Sequence, residues 1–277
     1  MVSIMNRLRT AQRVAVVKDL VEGNSIRSTV RLTGVAKNTV TKLLVELGAA
    51  CAAYQDEALK NLPCKRIQCD EIWSFIGAKA KNVTDALRAK NPEAGDVWTW
   101  TAICADTKLC VSFTVGDRTL AAAHPFMQDV TSRLRVQLTT DGHKPYLSAV
   151  EDAFGSDIDY ATLVKLYGSD PEGEKRYSPA KCIGCIPETM TGNPDPKHIS
   201  TSYVERQNLS MRMGMRRFTR LTNAFSKKIE NHMAAVSLYF MWYNFGRVRQ
   251  TLRVTPAMEA GIADHVWSVE ELVALLG

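Results

Sequence analysis

The stretch Arg66–Ile76 reads RIQCDEIWSFI, and it places two adjacent acids inside an otherwise apolar, β-branched and aromatic run. This composition predicts a strand that is largely buried. A carboxylate in such a strand is costly unless it is paired with a cation or bound to a metal ion. The strand therefore predicts a functional site, and we expect its partner acids on neighbouring elements.

Three acids stand within or at the ends of three separate predicted elements. Asp70 interrupts the strand, Asp141 follows a predicted strand at 136–140, and Glu205 lies in the first turns of a predicted helix. Because alternation puts Asp70 and Glu71 on opposite faces, we expect only one of them to face the site. The ordinary alternatives are a strand-ending turn for Asp141 and a favourable helix-terminal charge for Glu205.

The order of elements after this strand predicts the fold class. The sequence predicts two strands joined by a turn that begins at Asp106, then helix, strand, helix and strand, at 97–105, 109–115, 120–134, 136–140, 145–154 and 159–166. This is the order of an RNase H-like α/β domain, a mixed sheet flanked by helices. In that fold the first and fourth strands are neighbours, so Asp70 and Asp141 are expected side by side. Carboxylates of this kind are the ligands of two Mg²⁺ or Mn²⁺ ions.

Residues 1–55 predict an all-α, helix-turn-helix domain. A helix over Thr10–Glu22 is followed by a short helix capped by Ser25, a turn at Gly34 and an amphipathic helix from Ala36. The outward-facing residues at the start of the last helix would face the major groove of double-stranded DNA; these are Lys37, Asn38, Thr39, Thr41 and Lys42. A plain three-helix bundle is the alternative.

The remaining domain bounds follow from composition. We expect a linker at 56–64, the catalytic domain at 65–250, and a C-terminal tail with a short helix at 251–277. An insertion loop at 168–200, rich in Gly, Pro, Ser and charge, holds Cys182 and Cys185. A CxxC pair supplies half of a tetrahedral zinc site, and the alternative is a loop with two free thiols.

The net charge of +6 is unevenly distributed. Residues 1–69 carry 11 basic and 5 acidic groups and residues 200–255 carry 10 and 2, whereas residues 70–199 carry 14 and 18. Basic flanks around an acidic centre are expected of an enzyme that binds both phosphates and metal cations, although a solvated surface gives the same charge.

The helix after Glu205 predicts a DNA-binding face. Glu205, Asn208, Arg212 and Arg216 share one side of a helix, and Arg217 and Arg220 widen the basic surface. A solvated basic face is the alternative.

Several blocks resemble the catalytic blocks of DDE transposases, in particular those of the bacterial insertion sequence family one. The blocks are Cys69–Gly77, Thr140–Gly142, Glu205–Arg212 and Phe225–Lys227. The resemblance covers residues 65–245 and implies an RNase H-like core, Mg²⁺ as cofactor, and a homo-oligomer assembled on transposon ends. It also implies Asp70, Asp141 and Glu205 as the catalytic triad and Arg212 as a DNA contact. The interval between Asp141 and Glu205 is longer than the family pattern, and no zinc ribbon precedes the helix-turn-helix.

These observations predict a transposase that cleaves DNA phosphodiester bonds and joins 3′-hydroxyl ends to target DNA. An RNase H-like nuclease and a catalytically inactive DNA-binding regulator are the alternatives. No window is apolar enough to span a bilayer and no signal peptide is evident, so we expect a cytoplasmic, nucleoid-associated bacterial protein with no membrane partner. The odd number of cysteines, seven, favours reduced thiols.

Overall fold

The structure is a computed structural model that describes residues 8–133, 137–168, 182–219 and 222–277. Its strands are β1 (Arg66–Ile76), β2 (Gly95–Cys104), β3 (Cys110–Gly116), β4 (Gln137–Thr140), β5 (Asp159–Tyr167) and β6 (Cys182–Thr191). Its helices are α1 (Thr10–Val21), α2 (Ile26–Thr33), α3 (Lys37–Ala58), α4 (Asp85–Lys90), α5 (Leu120–Arg133), α6 (Pro145–Phe154), α7 (Ser202–Gly214), α8 (Ile229–Met241), α9 (Pro256–Glu259) and α10 (Val269–Ala274).

The strands form one mixed sheet in the order β3-β2-β1-β4-β5-β6. Strand β4 is parallel to both β1 and β5, and β6 is antiparallel to β5. Strands β2 and β3 are joined by a short turn, so they run antiparallel. The predicted mixed α/β fold is therefore confirmed, and so is the expected pairing of the first and fourth strands.

The chain divides into two compact units. One comprises Met1–Lys60, Ile72–Thr99 and Asn208–Gly277, and the other Asn61–Glu71 and Trp100–Gln207. The domain bounds expected from the sequence remain predictions beside this division. Helix α3 continues to Ala58, three residues into the expected linker.

The N-terminal helices begin and end where the local signals predict. The Ser25 side chain accepts a hydrogen bond from the backbone N–H of Ser28, and Gly34 closes α2 in the left-handed conformation at φ +70°. Helix α3 packs along α8, and α10 packs on α1, where Lys18 pairs with Glu270 at 3.0 Å. The C-terminal segment is thus packed against the N-terminal helices.

One expected element differs from that observed. The expected insertion loop contains β6, which pairs with β5 along most of its length. Strand β6 lies at the edge of the sheet and is exposed on both faces, so its sequence lacks the apolar alternation that predicts a strand. Only residues 169–181 of that expected loop fall outside the described chain.

The helical region that begins with α7 is interrupted. Helix α7 ends at Gly214, and α8 begins only at Ile229. Between them Ser226 forms a β-bridge with Ile76, and its carbonyl accepts a hydrogen bond from Gly77 N–H at 2.8 Å. The intervening segment therefore satisfies backbone groups at the end of β1, which a continuous helix would leave unpaired.

A buried histidine lies beneath this bridge. His232 of α8 is fully buried between two serines, with Nε2 3.2 Å from Ser74 Oγ and Nδ1 2.9 Å from Ser226 Oγ. Burial and, to a lesser extent, the charge of nearby Arg217 lower the pKa of His232 to about 3. The ring is therefore neutral at physiological pH.

The helices that the structure describes were compared with the length and hydropathy that a bilayer span requires. None of them meets both requirements.

Candidate metal centre

Two parallel strands bring the first acids together. Cys69 of β1 pairs with Thr140 of β4, so the residues that follow them are neighbours: Asp70 in β1 and Asp141 in the loop directly after β4. One ligand atom each from Asp70, Glu71 and Asp141 lies within 4.8 Å of the others. Within the described ranges, this is the only such group of three or more His, Cys, Asp and Glu side chains. We call it the carboxylate cluster.

Glu71 belongs to the carboxylate cluster together with Asp70, so the expectation that only one of them would face the site is wrong. The Asp70 side chain turns back along the strand, because its Oδ1 accepts a hydrogen bond from the backbone N–H of Glu71 at 2.8 Å. The Glu71 side chain is only 1 % exposed. Alternation describes where Cβ atoms point, but the carboxylates beyond them have turned toward a common space.

The electrostatics of Glu71 fit a cation at this place. Burial, together with the charges of Asp141 and Asp70, raises the pKa of Glu71 to about 8, while Arg118 and a hydrogen bond with Tyr146 oppose the rise. Glu71 Oε1 is buried without a hydrogen bond of normal geometry among the described residues. Three hard oxygen donors, one of them on a buried side chain, are suited to Mg²⁺ or Mn²⁺.

Arg118 is a component of the site that the sequence did not predict. It follows β3, and its Nη2 lies 3.2 Å from Glu71 Oε2 and 3.6 Å from Asp141 Oδ2. The segment that carries Arg118 is anchored to the core, because the indole N–H of buried Trp100 donates to the carbonyl of Asp117 at 2.9 Å. An isolated arginine after a strand carries no sequence signal of this kind, since its partners are distant in the chain.

His143 and Tyr146 line the carboxylate cluster from the start of α6. The backbone N–H of His143 donates to Asp141 Oδ1 at 2.9 Å, and its Nε2 lies 4.0 Å from Glu71 Oε1. Burial lowers the pKa of His143, and Arg118 adds to this effect while Asp141 opposes it. Both rings pack on Trp100, with centroids at 5.9 and 5.2 Å. The sequence could have indicated His143 as a site residue, because it lies only two positions after Asp141.

Gly142 allows β5 to approach the Asp141 loop. A Cβ at this position would lie 2.8 Å from Val164 Cγ2. Real Cβ atoms do not make contacts this short, so a side chain at this position would require Val164 or the backbone to shift. The dipeptide that the sequence offered as an ordinary turn thus carries a packing constraint.

Glu205 lies outside the carboxylate cluster. Its Oε2 forms an ion pair with Lys165 of β5, and its Oε1 accepts a hydrogen bond from Thr201 Oγ1 at 2.6 Å. The start of α7 is fastened to β1, since Gln68 Oε1 accepts hydrogen bonds from the backbone N–H groups of Tyr203 and Val204 at 2.8 and 3.2 Å. The structure thus brings Asp70 and Asp141 together with Glu71, while Glu205 has partners of its own.

The expected basic face is only partly helical. Asn208 is buried and Arg212 half-buried on α7, whereas Arg216 follows the end of the helix and is exposed. The Arg217 guanidinium points inward and donates to Ser226 Oγ and the Asn231 carbonyl, both at 2.9 Å. Burial lowers the pKa of Arg217 to about 10. Arg220 lies outside the described residues.

The five residues expected to read DNA stand in the first two turns of α3. Lys37, Asn38 and Lys42 are exposed, and Thr39 and Thr41 are half-buried. Thr41 Oγ1 donates to the carbonyl of Lys37 at 3.0 Å, and Lys42 lies 3.7 Å from Glu46. Three of the five side chains are therefore accessible to a partner.

Cys182 and Cys185 are exposed on β6, and the other five cysteines are buried. Neither thiol belongs to a group of three or more potential metal ligands in the part of the chain that the structure describes. A closed tetrahedral zinc site needs four ligands, so these residues supply only half of one.

Comparisons with known proteins give weak similarities. No protein family model and no curated protein matches the sequence. A piggyBac transposase synaptic complex with hairpin DNA aligns over 96% of this chain and 69% of the other, with 10% identity and a TM-score of 0.43. A Mos1 transposase paired-end complex aligns over 58% and 60%, with 10% identity and a TM-score of 0.22. These scores are too low to bear on fold or activity.

Proposed function

We propose that this chain is a metal-dependent DNA transposase of the DDE type. The observation that carries the proposal is the carboxylate cluster, in which Asp70 and Asp141 follow paired residues of adjacent parallel strands and share a small volume with Glu71. The resemblance of the surrounding blocks to family-one insertion sequence transposases points the same way, as does a strand order compatible with an RNase H-like core.

In this proposal Asp70, Glu71 and Asp141 hold the first divalent cation. Divalent cations of this kind polarise phosphoryl oxygens and lower the pKa of an attacking hydroxyl. Glu205, held by Lys165 and Thr201, is the ligand proposed for a second ion and completes the triad with Asp70 and Asp141. The reaction is an in-line displacement at phosphorus, in which the bond to one strand breaks as a 3′-hydroxyl or water attacks, and no covalent bond to the protein forms.

Positively charged side chains would hold the DNA backbone. Arg118 stands at the carboxylate cluster, and its side chain is 41% exposed, so it is accessible to a phosphate group of bound DNA. The exposed residues of α3 (Lys37, Asn38 and Lys42) and Arg216 are proposed as contacts to double-stranded DNA, and Arg212 as a further contact. In this reading α2, Gly34 and α3 form the helix-turn-helix, and the protein works as a homo-oligomer on transposon ends.

The test is DNA cleavage and strand joining with Mg²⁺ or Mn²⁺ on DNA that carries the ends of the element. Wild-type protein is expected to cut at the ends and to produce joined products, and Asp141→Asn to abolish both. Asp152→Asn is the matched control, because Asp152 is exposed on α6 and lies outside the carboxylate cluster. Full strand joining by Asp141→Asn would overturn the proposal.

The same assay separates the alternatives. A nuclease would give cuts without joined products. An inactive regulator would bind the ends with no product from either wild type or Asp141→Asn. Binding is measured separately, and Lys37→Ala and Lys42→Ala are each expected to weaken it and to lower its salt dependence.

A further inference from the structure

Strand β6 carries two exposed thiols that the proposed function does not use. Cys182 and Cys185 are three positions apart. In a regular strand, residues three apart point to opposite faces, so the sequence spacing alone would separate the two sulfurs.

A β-bulge puts both thiols on one face. In the pairing of β5 with β6, Tyr167 stands opposite Cys182 and Lys165 opposite Cys185, with a shift of register between them at Ile183. Directly opposed residues share a face, and Tyr167 and Lys165 share one because they are two apart. The extra residue at the bulge therefore returns Cys182 to the side that holds Cys185.

The contacts of the two thiols agree with this geometry. The Cys182 thiol donates to the carbonyl of Gly184 at 3.3 Å, and Cys182, Lys165 and Glu205 act electrostatically on Cys185. The Lys165 ammonium is at the same time the ion-pair partner of Glu205. Both thiols thus lie at the surface, on the face of the hairpin that also holds Lys165.

We propose that Cys182 and Cys185 form a dithiol site that low-molecular-weight disulfides oxidise to an intramolecular disulfide. One thiol, as its thiolate, attacks a sulfur of the oxidant and releases one thiol from it. The second cysteine then attacks the mixed disulfide and displaces the remaining thiol. The cysteines lose two electrons and two protons, and the oxidant gains them as two thiols. This inference does not rest on the proposed DNA chemistry.

The experiment treats the folded, full-length protein with graded mixtures of reduced and oxidised glutathione. Remaining thiols are blocked with iodoacetamide, and tryptic peptides are weighed. Both cysteines lie on one tryptic peptide, Cys182–Lys197, so an internal disulfide, a mixed disulfide with glutathione and two alkylated thiols differ in mass. The five buried cysteines are an internal control that should stay free until the protein is unfolded.

Wild type is expected to accumulate the internal disulfide, and Cys182→Ser and Cys185→Ser are each expected to stop at a mixed disulfide on the remaining cysteine. In parallel, phenylarsine oxide, which bridges two nearby thiols, is expected to bind the wild type at one equivalent and both single variants far more weakly. The proposal is overturned if wild type stops at mixed disulfides on both cysteines, or if its two thiols stay free while the single variants react. Neither readout uses DNA or a metal ion, so failure here is distinct from failure of the transposase proposal.

Discussion

Arg118 and Glu71 form an ion pair at the carboxylate cluster. The guanidinium Nη2 lies 3.2 Å from Glu71 Oε2, and the same nitrogen lies 3.6 Å from Asp141 Oδ2. A single cationic nitrogen thus stands against two of the three carboxylates proposed to hold a metal ion. In the absence of a divalent cation, Arg118 offsets part of the repulsion among them.

Replacing Arg118 is therefore expected to change metal affinity in a defined direction. Arg118→Gln removes a charge that repels the incoming cation and frees two ligands. Mn²⁺ binding to the DNA-free protein, measured by calorimetry, should tighten by about fivefold. This factor corresponds to about 1 kcal/mol, the upper end of what an exposed ion pair contributes. Lys144→Gln is the control, because Lys144 is exposed three residues after Asp141. Equal or weaker Mn²⁺ binding by Arg118→Gln would contradict the assignment.

Glu71 and Glu205 are expected to differ as metal ligands in the free protein. Glu71→Gln removes a member of the carboxylate cluster and should weaken Mn²⁺ binding by about tenfold or more, the loss of a charged ligand. Glu205→Gln should leave this first binding event within about twofold, because Glu205 is held by Lys165 and Thr201. Glu151→Gln, an exposed acid on α6, is the neutral control. If Glu205→Gln alone weakened Mn²⁺ binding, Glu71 would not be the third ligand.

Gly142→Ala is expected to lower stability while Val164 is present. The new Cβ lies 2.8 Å from Val164 Cγ2, so the Val164 side chain, the Asp141 loop or β5 must shift. Because Val164 is 37% exposed and can move, the loss of unfolding free energy should be about 1 kcal/mol, the low end for overpacking. The double variant with Val164→Ala should recover most of it in a double-mutant cycle by denaturant unfolding. Additive losses in the cycle would show that the two side chains do not interact.

His232 is expected to make stability fall in acid. Its pKa lies at about 3 in the folded protein against 6.5 for a free histidine, so between these values only the unfolded chain binds the proton. The stabilisation is complete above about pH 6.5 and is lost as the pH falls, by about 1.4 kcal/mol per pH unit within the window.

The measurement is urea unfolding across that pH range. His232→Gln lacks the titrating ring and should show a shallower slope of unfolding free energy against pH, whatever its absolute stability. His124→Gln is the control and should keep the wild-type slope, since His124 is partly exposed on α5. Identical slopes for wild type and His232→Gln would rule out this assignment.

Local signals were enough to predict most elements of the fold. The bounds of β1 and α6 were predicted to the residue, because one is a long apolar run and the other begins with proline and ends before Gly155. The turn between α2 and α3 followed from Gly34, which adopts a left-handed conformation that other residues disfavour. The pairing of β1 with β4, which brings Asp70 beside Asp141, followed from the order of the elements.

Two features of the fold depend on backbone contacts between residues that are distant in the sequence. Strand β6 is exposed on both faces, so its sequence does not show the alternation of apolar residues that predicts a strand. It forms because its backbone pairs with β5. The non-helical segment after α7 provides a hydrogen-bond acceptor for the end of β1, because the Ser226 carbonyl accepts from the backbone N–H of Gly77. In both cases the partner of the backbone hydrogen bonds, and not the local propensity, decides the conformation.

The sequence by itself determined that Asp70 and Asp141 would meet, because the strands that carry them are ordered along the chain. It also placed Glu205 at the start of a helix. The tertiary structure alone decided that Glu71 joins the carboxylate cluster, that Arg118 stands against it, and that a bulge brings Cys182 beside Cys185. The physical reason is that periodicity describes where a side chain leaves the backbone, whereas the position of its charged or reactive end depends on what packs around it.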